Sequence, residues 1–246
     1  MTATGLAPGV NSSRAQGIHP GIRESGARNR MRRILAHPVR TVAAAFSRLS
    51  NVPLENLPDS PDLFRGYRVW SAHPEVRRRP GGWEYREKFY PDYLTVGGAC
   101  HAIFPVARQY CRGNGADIGA GLWPLPDAIP IDVWRGPGAS ETISQIAAGS
   151  LDFVFSSHCL EHNENWQETL QEWIGKLKRG GTLFLYLPHP ECGIWEPGSP
   201  FVGTGHKWVP TPALLKTAIA EFGCELVAHD DGPDAMFSFW ICARKR

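Results

Sequence analysis

Gly149-Ser150-Leu151-Asp152-Phe153-Val154-Phe155-Ser156-Ser157-His158-Cys159-Leu160-Glu161-His162 is the stretch on which the reading of this chain turns. The run Leu151 to Ser156 is short, apolar and bounded by a glycine and by polar residues, as a strand buried on both faces of a sheet requires. Downstream, Thr182 to Leu187 has the same character. Between the two, Trp166 to Leu177 repeats apolar residues at helical spacing. This helix opens after Asn163-Glu164-Asn165, a run of capping and first-turn residues. It closes at Arg179-Gly180-Gly181, where a glycine takes the left-handed C-terminal cap.

The alternation extends in both directions. Strand candidates are Ala116 to Gly119 and Ala128 to Val133 upstream, and Glu225 to His229 and Met236 to Ala243 downstream, with a further helix over Pro212 to Phe222. Strands alternating with helices predict an α/β fold, a doubly wound sheet. Ala116-Asp117-Ile118-Gly119-Ala120-Gly121 follows the turn Arg112-Gly113-Asn114-Gly115, so it reads as a buried strand ending in a glycine loop. Glycine there permits positive φ and lets a ligand approach the backbone. On its own, such a pair of glycines serves a structural turn equally well. Ile129-Pro130-Ile131-Asp132 is a strand with an acid at its tip, the position from which ribose hydroxyls are held in dinucleotide-type folds.

Together these motifs resemble the class I S-adenosylmethionine-dependent methyltransferases, and within them the small-molecule group whose fourth strand leads into a Leu-Glu-His turn. The matching positions are Asp117, Gly119 and Gly121; Asp132; Asp152 with Leu160, Glu161 and His162; and Leu177, Lys178, Gly180 and Gly181 before strand five. The resemblance is close from Gly115 to Pro188 and looser to the C-terminus. It implies a Rossmann-like, mostly parallel, seven-stranded sheet with an antiparallel last strand. It also implies S-adenosyl-L-methionine as cofactor, lying across the carboxyl ends of strands one and four. By that resemblance Asp117, Gly119, Ala120 and Gly121 contact its amino-acid part, Asp132 holds the ribose, and Ser156, Ser157 and His158 border the methyl group.

The chain also departs from the family. Trp123 stands where many relatives have a third glycine, and Leu122 to Pro130 is too short and proline-rich for the usual helix, so a turn must replace it. Between Asp132 and Gly149 no strand three and no acid for the adenine amino group are evident. These departures motivate an alternative reading, a catalytically inactive methyltransferase-like binding module. A nucleotide-sugar or dinucleotide enzyme is disfavoured by the lack of a G-x-G-x-x-G motif.

His158, His162, His189 and His206 fall in loops at the carboxyl edge of the sheet. Each has a bland reading as a loop-ordering hydrogen-bonding residue. His189, His206 and His162 are the candidate bases for an acceptor proton, since imidazole titrates near neutrality. Proline on either side of His189 stiffens its support. The insertion Pro190 to Gly205 reads as either a lid or an ornament: as a lid, Gly198, Gly203 and Gly205 give it room to move, and Trp195, Phe201 and Trp208 cover an apolar or sugar-like acceptor. No metal site is expected, because the histidine spacings match no standard ligand motif.

Composition sets the wider frame. With 246 residues, 42% of them hydrophobic, the chain can bury one full-sized core. Residues 1–50 hold eight arginines against the single acid Glu24, which leaves a formal charge of about −5 on the remainder. A mildly acidic body gives no support to a nucleic-acid groove, and the expected partner is a small-molecule acceptor. Residues 1–50 read as a basic arm, unstructured over 1–30 for want of apolar periodicity. Around Met31 to Leu49 a solvated arm, a basic amphipathic helix, an organelle transit peptide and an internal start at Met31 all fit the composition. Residues 51–110 read as a proline-rich connector followed by helices from Trp83 to Tyr110, and 111–246 as the methyltransferase-like domain. Six scattered cysteines without a C-x-x-C pair suit buried thiols in a reducing cytoplasm. No apolar run is long enough to span a membrane. Neither the acceptor nor the oligomeric state is legible in the sequence.

Overall fold

The computed structural model describes residues 70–95, 97–121, 123–132 and 143–246, all within the unit Ala43–Arg246. The arm predicted over 1–50 and the first part of the connector lie outside the described residues. The described chain begins with a three-stranded antiparallel sheet of β1 (Val76–Arg79), β2 (Gly82–Tyr85) and β3 (Lys88–Pro91). Helix α1 (Cys100–Tyr110) follows, then β4 (Gly115–Ile118), β5 (Ile129–Ile131) and β6 (Leu151–Ser157). Helix α2 (Trp166–Lys176), β7 (Leu177–Pro188), helix α3 (Pro212–Glu221), β8 (Cys224–Asp230) and β9 (Ser238–Lys245) complete it.

The main sheet has the order β5-β4-β6-β7-β9-β8. Its first four strands are parallel, and β9 runs antiparallel to both β7 and β8. This is the expected doubly wound sheet with an antiparallel last strand. Six strands stand among the described residues, against the seven implied by the resemblance, and no strand is described between β5 and β6.

The sheet divides the core into two layers, with the irregularity between Leu151 and Phe153 setting these two on opposite faces. Leu151 and Val154 of β6 and Leu183, Leu185 and Leu187 of β7 join α2, with its Trp166 and Trp173, and α3 in one layer. Their alternates, Phe153, Phe155, Phe184 and Tyr186, point to the other face, where Ile103 and Ala107 of α1 meet them. Both faces are covered, so the strands read as continuous apolar runs rather than as an alternation. Each such side chain fully buried contributes about 1.5–3 kcal/mol. Helix α3 starts where its sequence predicts: Thr211 Oγ1 accepts the Leu214 amide and Pro212 fills the first turn, where a missing N–H costs nothing.

Two local expectations are corrected. Helix α2 does not end on a glycine cap: it stops at Lys176, Leu177 is already extended, and β7 begins there. Gly180, at φ +80°, instead serves the irregularity where the pairing with β6 jumps from Leu151–Leu177 to Phe153–Thr182. The second correction concerns Trp83 to Tyr110, whose α-helix occupies only Cys100–Tyr110, preceded by a single 3-10 turn at Asp92–Thr95. Trp83 and Tyr85 are buried alternates on a strand, and the β2–β3 hairpin turns through Arg86 and Glu87, both at positive φ.

This small sheet packs on the insertion that follows β7. Val76, Trp83, Tyr85, Tyr90 and Leu94 share one cluster with Cys192 and Ile194. Phe201 lies against Trp83, Tyr85 and Trp70 at ring distances of 6.0, 5.8 and 5.1 Å. Lys88 Nζ donates to the Glu191 carbonyl, Arg86 pairs with Glu196, and the Gly193 amide donates to Tyr90 Oη. The insertion is therefore anchored by an aromatic core, where the sequence suggested a glycine-loosened lid.

Candidate functional site

The loop after β4 is pinned at every turn by its own sequence. The Asp117 carboxylate, 2% exposed, accepts the Leu125 amide at 2.6 Å, which ties the end of β4 to the segment that replaces the usual helix. The amides of Gly119 and Ala120 both donate to the Ile131 carbonyl of β5, at 2.8 and 3.3 Å. Gly119 has φ +80°, and a Cβ there would fall 2.4 Å from Cys159 Cβ, so only glycine lets this loop pass the start of the Leu-Glu-His turn. The Gly121 amide then donates to Asp132 Oδ2 at 2.5 Å. The acid at the tip of β5 thus braces the glycine loop from the side.

The facing wall comes from the end of β6. Ser156 Oγ donates to the Ile118 carbonyl and lies buried between the strands. His158 follows with φ +50°, an unusual backbone for a residue with a side chain and one that surrounding contacts must enforce. Its amide donates to the Tyr186 carbonyl at 2.8 Å, its Nε2 is 2.9 Å from Ser238 Oγ, and its ring edge meets Trp195 at 4.8 Å. Burial, reinforced by His206 and His162, pushes the His158 imidazole down to about 3, so the ring is neutral.

Between these walls lies a cleft of about 380 Å³ at the carboxyl ends of β4 and β6, within the range of small-molecule sites. Asp117, Gly119, Ala120, Gly121, Ser157 and His158 line it. Asp132 is not in the lining and bonds to it through the Gly121 amide, and Ser156 stands behind the wall. Gly97, Gly98, Trp123, Trp195 and Met236 also line it, with Leu94, Ala99 and Cys100 beside them. Gly97 and Gly98, absent from the sequence-based reading, carry a usable signal as a glycine pair just before a helix. The Trp123 ring stands against both of them, so that it forms a wall of the cleft. Cys159 beside the loop has its thiol pushed up to about 12 by burial, which disfavours the thiolate.

The three histidines predicted as bases do not line the cleft. The His189 amide donates to the Phe237 carbonyl, its Nδ1 accepts the Glu191 amide, and its ring lies 6.2 Å from Phe239. His162 and His206 instead converge edge to face, 4.7 Å apart, on Glu161. Glu161 is fully buried, and burial pushes its carboxyl up to about 8, while burial holds His206 down to about 4. Of the aromatics in and after the insertion, Trp195 lines the cleft. Trp208 stacks on Trp166 at 4.5 Å and donates to the Leu160 carbonyl, and Phe201 belongs to the small-sheet cluster.

Residues 132–185 match the methyltransferase domain family. No curated protein matches the sequence. Among solved structures, the chain is similar to the 1,6-didemethyltoxoflavin-N1-methyltransferase of Burkholderia thailandensis, crystallised with 1,6-didemethyltoxoflavin and S-adenosylhomocysteine. Identity is 15% over 63% of this chain and 81% of that one, with a TM-score of 0.46. An S-adenosylmethionine-dependent methyltransferase from Mesorhizobium loti is 17% identical over 60% and 99% of the two chains, with a TM-score of 0.44. One from Archaeoglobus fulgidus is 17% identical over 60% and 95%, with a TM-score of 0.40. No helix among the described residues is long and apolar enough to cross a membrane.

Proposed function

From the premise that residues 132–185 match the methyltransferase domain family, we propose that this chain is a class I S-adenosylmethionine-dependent methyltransferase whose cleft binds S-adenosylmethionine and serves methyl transfer to an oxygen or nitrogen of a small-molecule acceptor. The observation that carries this reading is the glycine cradle. Gly119 and Gly121 hold positive φ at the carboxyl end of β4, and among the described residues beyond its chain neighbours a Cβ at Gly121 would meet only Asp132 Oδ2, at 3.8 Å. The cradle sits where the sheet order departs in both directions from β4, the crevice in which open α/β sheets bind ligands.

The cofactor supplies a methyl group already activated on a sulfonium, so the protein's work is alignment and exclusion of water. In this reading the backbone from Gly119 to Gly121 receives the amino-acid part of the cofactor. Asp132 takes the ribose, and its bond to Gly121 makes the two subsites one unit. Ser157 and His158 border the methyl group, and Trp195 presents a flat apolar face to the acceptor. His158 is a poor base here, because its Nε2 is engaged by Ser238 and burial disfavours its cation. Alignment is accordingly the main catalytic contribution, with His162, His206 and His189 outside the lining. Trp123 stands against the glycine pair as one wall of the cleft, and the cleft beside it keeps a volume of about 380 Å³, which supports the enzyme reading.

The test is transfer of isotopically labelled methyl from S-adenosylmethionine to panels of alcohols, phenols and amines. One S-adenosylhomocysteine released per methyl incorporated supports the reading. Absence of transfer to all three classes, together with absence of S-adenosylhomocysteine binding, overturns it.

A further inference from the structure

Glu161 is 0% exposed, and neither carboxylate oxygen has a hydrogen-bond partner among the described residues. Three imidazole nitrogens approach Oε1 instead: His158 Nδ1 at 3.8 Å, His206 Nε2 at 3.8 Å and His162 Nε2 at 4.0 Å. These separations are too long for hydrogen bonds. A buried carboxyl left this way is costly unless something else meets it.

The tautomers show what is missing. His206 Nδ1 lies 2.7 Å from the Trp195 carbonyl, and His162 Nδ1 lies 3.0 Å from the Gly205 carbonyl. A carbonyl can only accept, so each Nδ1 carries the proton and each Nε2 turns a lone pair towards Glu161. His158 follows the same rule by another route. Ser238 Oγ gives its single hydrogen to the Met236 carbonyl, so it accepts from His158 Nε2, which leaves the His158 Nδ1 lone pair on the Glu161 side. Lone pairs from three imidazoles thus converge on the Glu161 carboxyl, with no N–H of theirs turned towards it. Fixing Nδ1–H on a backbone carbonyl so that Nε2 is free is the arrangement by which proteins orient metal-ligating histidines.

The geometry points to a divalent transition-metal site formed by Glu161, His162 and His206, with His158 flanking it. The three ligand atoms lie within 4.8 Å of one another. Zinc bonds of about 2.0–2.2 Å place such atoms roughly 3.3 Å apart, so binding closes the 3.8 and 4.0 Å separations from Glu161 by about 0.5–0.7 Å and the widest separation, within 4.8 Å, by up to about 1.5 Å. His162, at 48% side-chain exposure, has the freedom to make that movement. Two imidazoles and one carboxylate suit zinc, iron, cobalt or manganese and do not suit the all-oxygen shells preferred by calcium and magnesium. His206 is hydrogen-bonded to Trp195 and His158 packs against its ring, so the ion would sit beside the acceptor end of the cleft. The proposal stands on these side chains alone, whatever the cleft binds.

The experiment uses the full chain, stripped with a chelator and titrated with Zn²⁺, reading stoichiometry by calorimetry and the shift in melting temperature. One ion per chain and a raised melting temperature are expected. Glu161→Gln and His206→Ala should each weaken binding at least tenfold, while His229→Ala, away from the cluster, should leave it unchanged. Glu161→Gln should also melt at or above the stripped wild type, because it removes the uncompensated acid. Titration with Co²⁺ should give visible absorption bands that both cluster variants lose. Absence of zinc binding, or full binding in Glu161→Gln, overturns the proposal. Measuring S-adenosylhomocysteine binding on the same preparations keeps this outcome separate from that of the methyltransferase reading.

Discussion

Lys178 Nζ lies 2.6 Å from Asp152 Oδ1, so the aspartate that leads β6 and the lysine of the Leu-Lys-x-Gly-Gly stretch form one ion pair. The other oxygen of Asp152 accepts the Asn114 amide at 2.8 Å, just before β4. Three adjacent segments of the sheet are joined at its amino edge, opposite the cleft. The Lys178 hydrogen bond, followed by that from Asn114, holds the Asp152 carboxyl below its ordinary value of 3.8. Because the folded value is depressed, this contribution to stability is present at neutral pH and is lost as the pH falls through the acid range. Urea unfolding of wild type and Asp152→Asn should show a difference that is constant above about pH 5 and shrinks below about pH 4. A difference independent of pH would mean that the charge is irrelevant.

Asp132→Ala should act on the cofactor subsite and on the loop together. It removes the acceptor of the Gly121 amide and the acid assigned to the ribose. A loss of about 1–3 kcal/mol in S-adenosylhomocysteine binding is expected, the scale of a hydrogen bond to a charged group. Asp132→Asn, which keeps an acceptor for Gly121, should fall between the two. Equal affinity in all three proteins would move the ribose elsewhere.

Gly119→Ala should destabilise the fold by about 1–3 kcal/mol, because it overpacks Cys159 from a backbone with positive φ. The contact involves Cys159 Cβ as well as Sγ. Cys159→Ala should therefore fail to relieve it, whereas Cys159→Gly should recover part of the loss. Recovery by Cys159→Ala would show that the sulfur alone is responsible.

Trp83→Ala should uncouple the insertion from the small sheet. Trp83 is 1% exposed and packs on Phe201, so a cost of about 3–5 kcal/mol is expected. Limited proteolysis should then cut within 193–205 faster than in wild type. Unchanged cleavage would place the anchoring contacts elsewhere in the cluster.

The main sheet was legible because its strands are apolar runs closed by glycines and acids, a pattern set by burial on both faces. The small sheet was not. Its hairpin turns through Arg86 and Glu87, which adopt left-handed backbone without the Asn-Gly or Asp-Gly pair that announces such a turn. The cleft-lining loop residues were readable from the glycine pattern. The histidine cluster was hidden, since Glu161 and His162 are neighbours in sequence but His206 arrives only through the fold, where the Lys207 amide donates to the Glu161 carbonyl at 2.8 Å. Spacing along the chain therefore carried no signal for the cluster proposed as a metal site, whose members meet only in space. His189 was misleading for the opposite reason: its flanking prolines do stiffen it, but its amide bonds to Phe237 and its ring lies beside Phe239.

The central claim is that the glycine cradle between β4 and β6 is a cofactor site. Calorimetric titration of the full chain with S-adenosylmethionine and S-adenosylhomocysteine tests it most directly. Saturable binding of either ligand at one site per chain, weakened in Asp132→Ala, is the predicted result. Absence of heat from both ligands up to millimolar concentration, in a chain whose unfolding transition is intact, would contradict it.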